Sequence, residues 1–400
     1  AGITVTLLDV SAEVLARGVG AVRKNLDAAV SKGRISVEQA QQRISLLRDT
    51  LDDADLSDCD LVIEAAFEDL TIKKSLCERL GAVCKQGAII ASNTSTLNID
   101  VLAEASGRPA HFLGMHFFSP AHVMKLLEVV RGAATSAEVL ATVMALAKRI
   151  GKAPVVSGVC YGFIGNRMLE GYLRETEFLL LEGAAPAQID RAIQSTGMAM
   201  GPCRMIDMAG IDVAAKVVLE RRKAGTLGGD AAYRIVVQRL HELGRHGQKT
   251  SAGYYRYEGR LAVEDPDVEQ ICRELAAEHG IARRGDISDA EIVERCLYPL
   301  INEGARILEE GIAYRAGDID VVWVLGYGFP AWRGGPIHMA EAIGASNIVR
   351  ALQSYGSRFG NAHGYWTVAE RLVQAAANGR PISDSIDPAL PAGLPSSRRL

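Results

Sequence analysis

Apolar and polar positions in the first 157 residues switch between two periods. "ITVTLLD" (3–9) is a β-branched, apolar run that stops at Asp9, which predicts a strand. Residues 11–49 follow a helical period that breaks near Gly33. "CDLVIEA" (59–65) predicts a strand, "DLTIKKSLCERLGAVC" (69–84) an amphipathic helix, and "GAIIASN" (87–93) a strand. "IDVLAEAS" (99–106) predicts a helix, and "HFLGMHFF" (111–118) and "MKLLEVVRG" (124–132) predict strands. Residues 136–151 predict a helix and "APVVS" (153–157) a last strand. Repeated strand–helix–strand units of this length imply an α/β domain with a doubly wound parallel sheet.

After Ser157 the pattern becomes helical and the fold class changes to all-α. "NRMLEGYLRETEFLLLEG" (166–183) and "IVERCLYPLINEGARILEEG" (292–311) both place apolar residues at helical spacing. An Ile-Asp pair follows each, Ile189-Asp190 and Ile319-Asp320, and then a segment rich in Gly and Pro. These segments are "GMAMGPCRMIDMAG" (197–210) and "GYGFPAWRGGPIHMAEAIG" (326–344), giving an internal repeat of about 130 residues. The expected division is 1–157, a first helical domain 158–260, a second 285–385, and a flexible Pro- and Ser-rich tail 386–400. "SAGYYRYEGRLAVEDPD" (251–267) is expected to connect the repeats.

Hydrophobic residues make up 48% of the 400 and charged residues 23%, as in chains that bury real cores. A net charge of −4 gives no electrostatic case for nucleic acid. The apolar runs break well short of the ~18 residues a membrane span requires. Seven scattered cysteines read as reduced and buried, in a cytosol-like compartment, and not as disulfides or metal ligands. The chain opens on a strand core without Met or a secretory leader pattern, so a truncated chain is expected.

Two glycine patterns resemble a phosphate loop and are expected not to be one. "GVGAVR" (18–23) lies inside a helical stretch, and "GYGFPA" (326–331) has Pro330 and Pro336 where a phosphate-binding helix would run. "SNTSTL" (92–97) follows an apolar strand, where open α/β sheets place their ligands. It reads either as a polar pocket lining or as a turn and helix cap. "GMHFFSPAHVMKLLEVV" (114–130) is the most informative segment. Glu128 sits in an apolar run, where a carboxylate requires a partner. Pro120 breaks the chain between it and His116, so adjacent strands can set the two side by side. A carboxylate behind an imidazole makes a general base that removes a hydroxyl proton as hydride leaves carbon. The other reading is a solvent-facing Glu128 and a satisfied core His116. His111 and His122 flank the segment, but the spacing fits no usual zinc set.

Taken in order, "VIEAAFEDLTIKKSLCERL", "IIASNTSTL", "GMHFFSPAHVMKLLEVV", "GFIGNRML", "MGPCRMIDMAGID" and "GQKTSAGYYRY" resemble the 3-hydroxyacyl-CoA dehydrogenase family of fatty-acid β-oxidation. The second repeat, with "GYGFPAWRGGP", resembles the extra domain of the multifunctional enzymes, in which an enoyl-CoA hydratase module precedes the dehydrogenase. The resemblance implies a Rossmann-like domain and oxidation of L-3-hydroxyacyl-CoA to 3-ketoacyl-CoA, with NAD as cofactor and acyl-CoA as substrate. It implies His116 as catalytic base, Glu128 as its partner, and Ser95 and Asn166 as contacts to the reacting group. It implies Asp9 at the adenosine ribose, with Glu68, Lys73 and Asn93 beside the cofactor. Asp9 has no Arg after it, which favours NAD over NADP.

The family's first strand, glycine loop and first helix have no counterpart in these 400 residues. That loop holds the pyrophosphate, so impaired NAD binding and no hydratase activity are expected. Two further readings remain: a related hydroxyacid dehydrogenase acting on a non-CoA substrate, and a non-catalytic acyl-CoA-binding fragment. The doubled helical domain implies a pseudo-dimeric monomer, or else a homodimer. A bacterial cytoplasm is the expected location, with the peroxisome as the alternative, although the terminal "RRL" is not a peroxisomal tripeptide.

Overall fold

Most helices of the amino-terminal half start on a polar side chain that receives a backbone N–H: Ser11, Ser36, Asp69, Asn98 and Ser136. The computed structural model describes residues 2–383, apart from 224, 226, 228 and 229. The chain forms two compact units, one reaching Tyr161 and the other starting at Gly162. The expected tail at 386–400 lies outside the described residues.

The first unit runs β1 (Val5–Leu8), α1 (Ala12–Ser31), α2 (Val37–Ile44), β2 (Leu47–Thr50), β3 (Leu61–Glu64), α3 (Leu70–Val83), β4 (Ile89–Ser92) and α4 (Ile99–Ala105). It continues through β5 (Phe112–Phe117), β6 (Leu126–Val130), α5 (Ala137–Arg149) and β7 (Ala153–Ser157). Five strands make one sheet in the order β3-β4-β5-β6-β7. All pairs are parallel except β5–β6. The link 118–125 is too short for a crossover, so β6 runs back along β5. Alternate residues serve opposite faces. Leu113, Met115, Leu127 and Val129 pack with Val139, Leu140 and Val143 of α5. Phe112, Gly114 and His116 take the other face of β5, where a Cβ on Gly114 would lie 3.0 Å from Ile99 of α4 and 2.8 Å from the Val130 Cβ.

β1 and β2 form a separate parallel pair. β2, "LRDT", falls where the helical period was expected to continue to 49; its polar alternation hid it. Among the described residues no ladder joins β1 to β3. The strands are therefore divided between β1 and β3, and Val5 of β1 and Ile63 of β3 are exposed. Gly18 and Gly20 of "GVGAVR" lie inside α1, as expected.

The second unit comprises α6 (Gly165–Glu182), α7 (Pro186–Ser195), α8 (Pro202–Ala209), α9 (Ile211–Lys223), α10 (Ile235–Glu242), β8 (Arg256–Glu258), β9 (Leu261–Val263) and α11 (Pro266–Glu278). It ends with α12 (Asp289–Glu309), α13 (Ala316–Gly326), α14 (Pro336–Ile343), α15 (Ala345–Phe359) and α16 (Glu370–Asn378). The expected connector holds the β8–β9 hairpin and is followed by α11, started by Asp265 and Pro266. The two long helices α6 and α12 pack along each other. Arg295 of α12 is buried against Glu175 (2.8 Å) and Glu182 (2.7 Å) of α6. The two Ile-Asp pairs do the same work. Asp190 accepts the N–H groups of Cys203 (2.9 Å) and Arg204 (3.1 Å) at the start of α8. Asp320 accepts those of Ile337 (2.8 Å) and His338 (3.4 Å) at the start of α14.

Candidate active site

The antiparallel β5–β6 ladder puts His116 directly opposite Glu128. Paired residues share a face and stand about 5 Å apart, within side-chain reach. His116 Nδ1 lies 2.7 Å from Glu128 Oε2. Glu128 has no exposed surface and His116 is 8% exposed. A carboxylate oxygen only accepts, so the hydrogen in this bond sits on Nδ1; in a neutral ring that leaves Nε2 to accept. Phe118 flanks the ring at 4.7 Å between centroids. Lys152 stabilises the 118–125 link by donating to the carbonyls of Ala121 and Met124, the latter at 2.7 Å. Burial lowers the pKa of its ammonium.

A second cluster forms where β3 and β4 end. Asn93 Oδ1 accepts the Phe117 N–H at 2.8 Å, tying the end of β4 to the strand that carries His116. Glu68 Oε1 accepts from the Thr94 hydroxyl (2.6 Å), the Ser95 N–H (2.9 Å) and hydroxyl (3.3 Å), and the Thr96 hydroxyl (3.1 Å). Burial pushes the Glu68 carboxyl up, but the donors at Thr94, Ser95 and Thr96 and the charge of Lys73 outweigh it and hold the group below its usual range. "SNTSTL" is therefore both the turn before α4 and a hydroxyl-lined surface. Lys73 is fully buried, 3.7 Å from Glu68 and 2.7 Å from Glu64. Ser92 donates to the other Glu64 oxygen at 2.6 Å.

Glu64 escaped the sequence reading. The signal was present: a carboxylate ends an apolar strand, and a lysine follows on the buried stripe of the next helix. Of the expected cofactor residues, Glu68, Lys73 and Asn93 come together with Ser95. Asp9 does not join them through any hydrogen bond or ion pair among the described residues. It sits half-buried just beyond β1, accepting the N–H of Val10 at 2.7 Å. Asn166 belongs to the second unit, half-buried in the first turn of α6. "GYGFPA" is the turn between α13 and α14, as expected.

No helix among the described residues is long and apolar enough to cross a membrane, and no cluster of His, Cys, Asp or Glu there fits a metal ion. Asp9, Glu68 and Asn93, the residues expected beside a dinucleotide, follow the ends of β1, β3 and β4. No glycine loop for its pyrophosphate stands at the end of a described strand.

A helix-flanked, mostly parallel sheet with a buried His–Glu pair on its antiparallel β5–β6 ladder, followed by a helical unit, defines a dinucleotide-dependent dehydrogenase fold. Residues 1–160 match the family model for the 3-hydroxyacyl-CoA dehydrogenase NAD binding domain. Residues 162–257 and 292–386 match the C-terminal domain of the same family. The chain belongs to the 3-hydroxyacyl-CoA dehydrogenase family. It is 45% identical over 327 residues to the peroxisomal bifunctional enzyme of Danio rerio, covering 78% of this chain and 45% of that protein. Among solved structures, 3-hydroxybutyryl-CoA dehydrogenase from Escherichia coli aligns with a TM-score of 0.81 at 28% identity, covering 94% of this chain and 93% of that one. The dehydrogenase part of multifunctional enzyme 1 from C. elegans aligns at 0.62 and 30% identity, covering 94% and 84%. The chain spans about half the length of the curated relatives it matches.

Proposed function

We propose that this chain carries the dehydrogenase half of a fatty-acid β-oxidation enzyme, oxidising L-3-hydroxyacyl-CoA to 3-ketoacyl-CoA. The observation that carries the reading is the buried 2.7 Å contact between His116 and Glu128. His116 Nε2 takes the hydroxyl proton while Nδ1–H keeps donating to the Glu128 carboxylate, whose negative charge balances that gained by the ring. A bound NAD would supply the acceptor for the hydride on the carbon that bears this hydroxyl. Ser95 contacts the substrate oxygen, Asn166 is read as a substrate contact of the second unit, and Asn93 and Glu68 shape the pocket beside the cofactor. Lys73 keeps Glu64 and Glu68 in place. Asp9 receives the ribose hydroxyls. NADH formation from L-3-hydroxybutyryl-CoA by the full-length protein tests the reading; no turnover refutes it.

A polypeptide of these 400 residues alone is expected to bind NAD weakly, because the sheet division supplies no pyrophosphate cradle. For that polypeptide, the sheet division favours the second reading, an acyl-CoA-binding fragment without turnover. Comparing NADH formation with and without a fused glycine-loop segment tests this; equal rates overturn it. We read residues 158–260 and 285–385 as two related domains whose α6–α12 pairing serves as an internal dimer. A monomeric mass in solution checks that. The names of the relatives support the peroxisomal alternative over a bacterial cytoplasm, and co-localisation with a peroxisomal marker tests it. An upstream hydratase module belongs to the same proposal.

A further inference from the structure

The segment "GYGFPAWRGGP" serves a purpose beyond turning the chain. Tyr327, at the end of α13 in the second repeat, donates its hydroxyl hydrogen to Asn166 Oδ1 at 2.7 Å. Its ring stacks on the fully buried Trp323, with centroids 4.6 Å apart and planes 25° apart. The ring also approaches Gly165 closely. A Cβ added there would sit 2.8 Å from Tyr327 Cζ and closer still to Cε2 and the hydroxyl. Gly165 does not have a positive φ, so the backbone conformation does not require a glycine. The close approach of Tyr327 does.

The neighbouring residues are held from the same repeat. Arg167 donates to Glu303 (2.6 Å) and to Glu310 (2.7 Å). Just before the helix, Phe163 is fully buried with φ 51°, a left-handed conformation that a bulky side chain keeps only when its surroundings impose it. The start of α6 is thus built by the first repeat and fixed by the second.

We propose that Tyr327 is a positioning residue for the dehydrogenase, acting through Asn166. An amide whose oxygen is engaged offers its N–H groups as the outward end. That end matches a hydroxyl or keto oxygen, the reacting group of a 3-hydroxyacyl or 3-ketoacyl thioester. The second repeat therefore completes the site on the first and does not merely cover its apolar face. This inference rests on the reading of Asn166 as a substrate contact.

The test is a double-mutant cycle in the full-length protein, following NADH oxidation with acetoacetyl-CoA. Tyr327→Phe keeps the ring and the stacking. It is expected to lower kcat about tenfold, with KM within about twofold, as loss of one aligned hydrogen bond would do. Gly165→Ala, which pushes the ring away by another route, is expected to give the same split. Asn166→Ala lowers kcat at least as far, and adding Tyr327→Phe to it produces no further loss. If the two effects multiply, or if Tyr327→Phe turns over at the unsubstituted rate while Asn166→Ala is impaired, Tyr327 does not act through Asn166. If Asn166→Ala itself keeps full activity, the substrate role of Asn166 fails first, and the proposal with it. Thermal unfolding midpoints separate these outcomes from misfolding.

Discussion

Glu128→Gln isolates the charge behind the imidazole. Glutamine keeps the shape of the side chain, and its oxygen can still accept the Nδ1 hydrogen, so the ring stays oriented. What is lost is the negative charge that faces the ring when His116 takes the proton. Glu128 is entirely buried, so water cannot replace that charge. At 2.7 Å the contact is in the range of charge-assisted hydrogen bonds, worth about 1.5–3 kcal/mol. At about 1.4 kcal/mol per decade, kcat is expected to fall about 10- to 150-fold. The charge on the ring develops only as the proton moves, so KM for the acyl-CoA should stay within about twofold. The assay is the initial rate of NADH formation from L-3-hydroxybutyryl-CoA, at saturating substrate and NAD. A Glu128→Gln protein that turns over within twofold of the unsubstituted rate, while His116→Ala is inactive, refutes the pairing.

Lys73→Met leaves Glu64 buried without its counter-charge and is expected to cost about 3–5 kcal/mol in urea unfolding; adding Glu64→Leu should restore most of it. Asp320 is pushed up to about 6, chiefly by burial. Its native form therefore binds a proton more readily than the unfolded chain does, and its contribution to stability falls as pH rises from about 4 to about 6. The urea midpoint of Asp320→Asn relative to the unsubstituted protein should rise across that window and level off above it. Glu68, held below its usual range, acts in the opposite sense: the stability it gives is present above about 4.5 and is lost as pH falls below that. The difference in urea midpoint between the unsubstituted protein and Glu68→Gln should therefore shrink on acidification.

Much of this site was legible because its residues break the local pattern. Glu128 stands in an apolar run, and a short link to the preceding strand leaves few registers in which it could find a partner. The β5–β6 ladder supplies His116 at the matching position. The Ile-Asp pairs were visible as a repeat, and their work as helix caps follows from the Gly-Pro starts they serve. β2 was hidden because "LRDT" has a strand's geometry without a strand's apolar face. Glu64 was missed because it reads as the polar end of a strand, although the lysine on the buried stripe of the next helix signalled its partner. Tyr327 could not be assigned from its own surroundings. It stands in a turn, and what it touches is 161 positions away along the chain.

The most direct measurement is NADH formation from L-3-hydroxybutyryl-CoA by the full-length protein and by its His116→Gln form. The unsubstituted protein should turn over. Loss of the base should lower kcat about 10²- to 10⁴-fold, with acyl-CoA affinity retained. Turnover by His116→Gln at the unsubstituted rate would contradict the assignment of the β5–β6 pair as the catalytic centre.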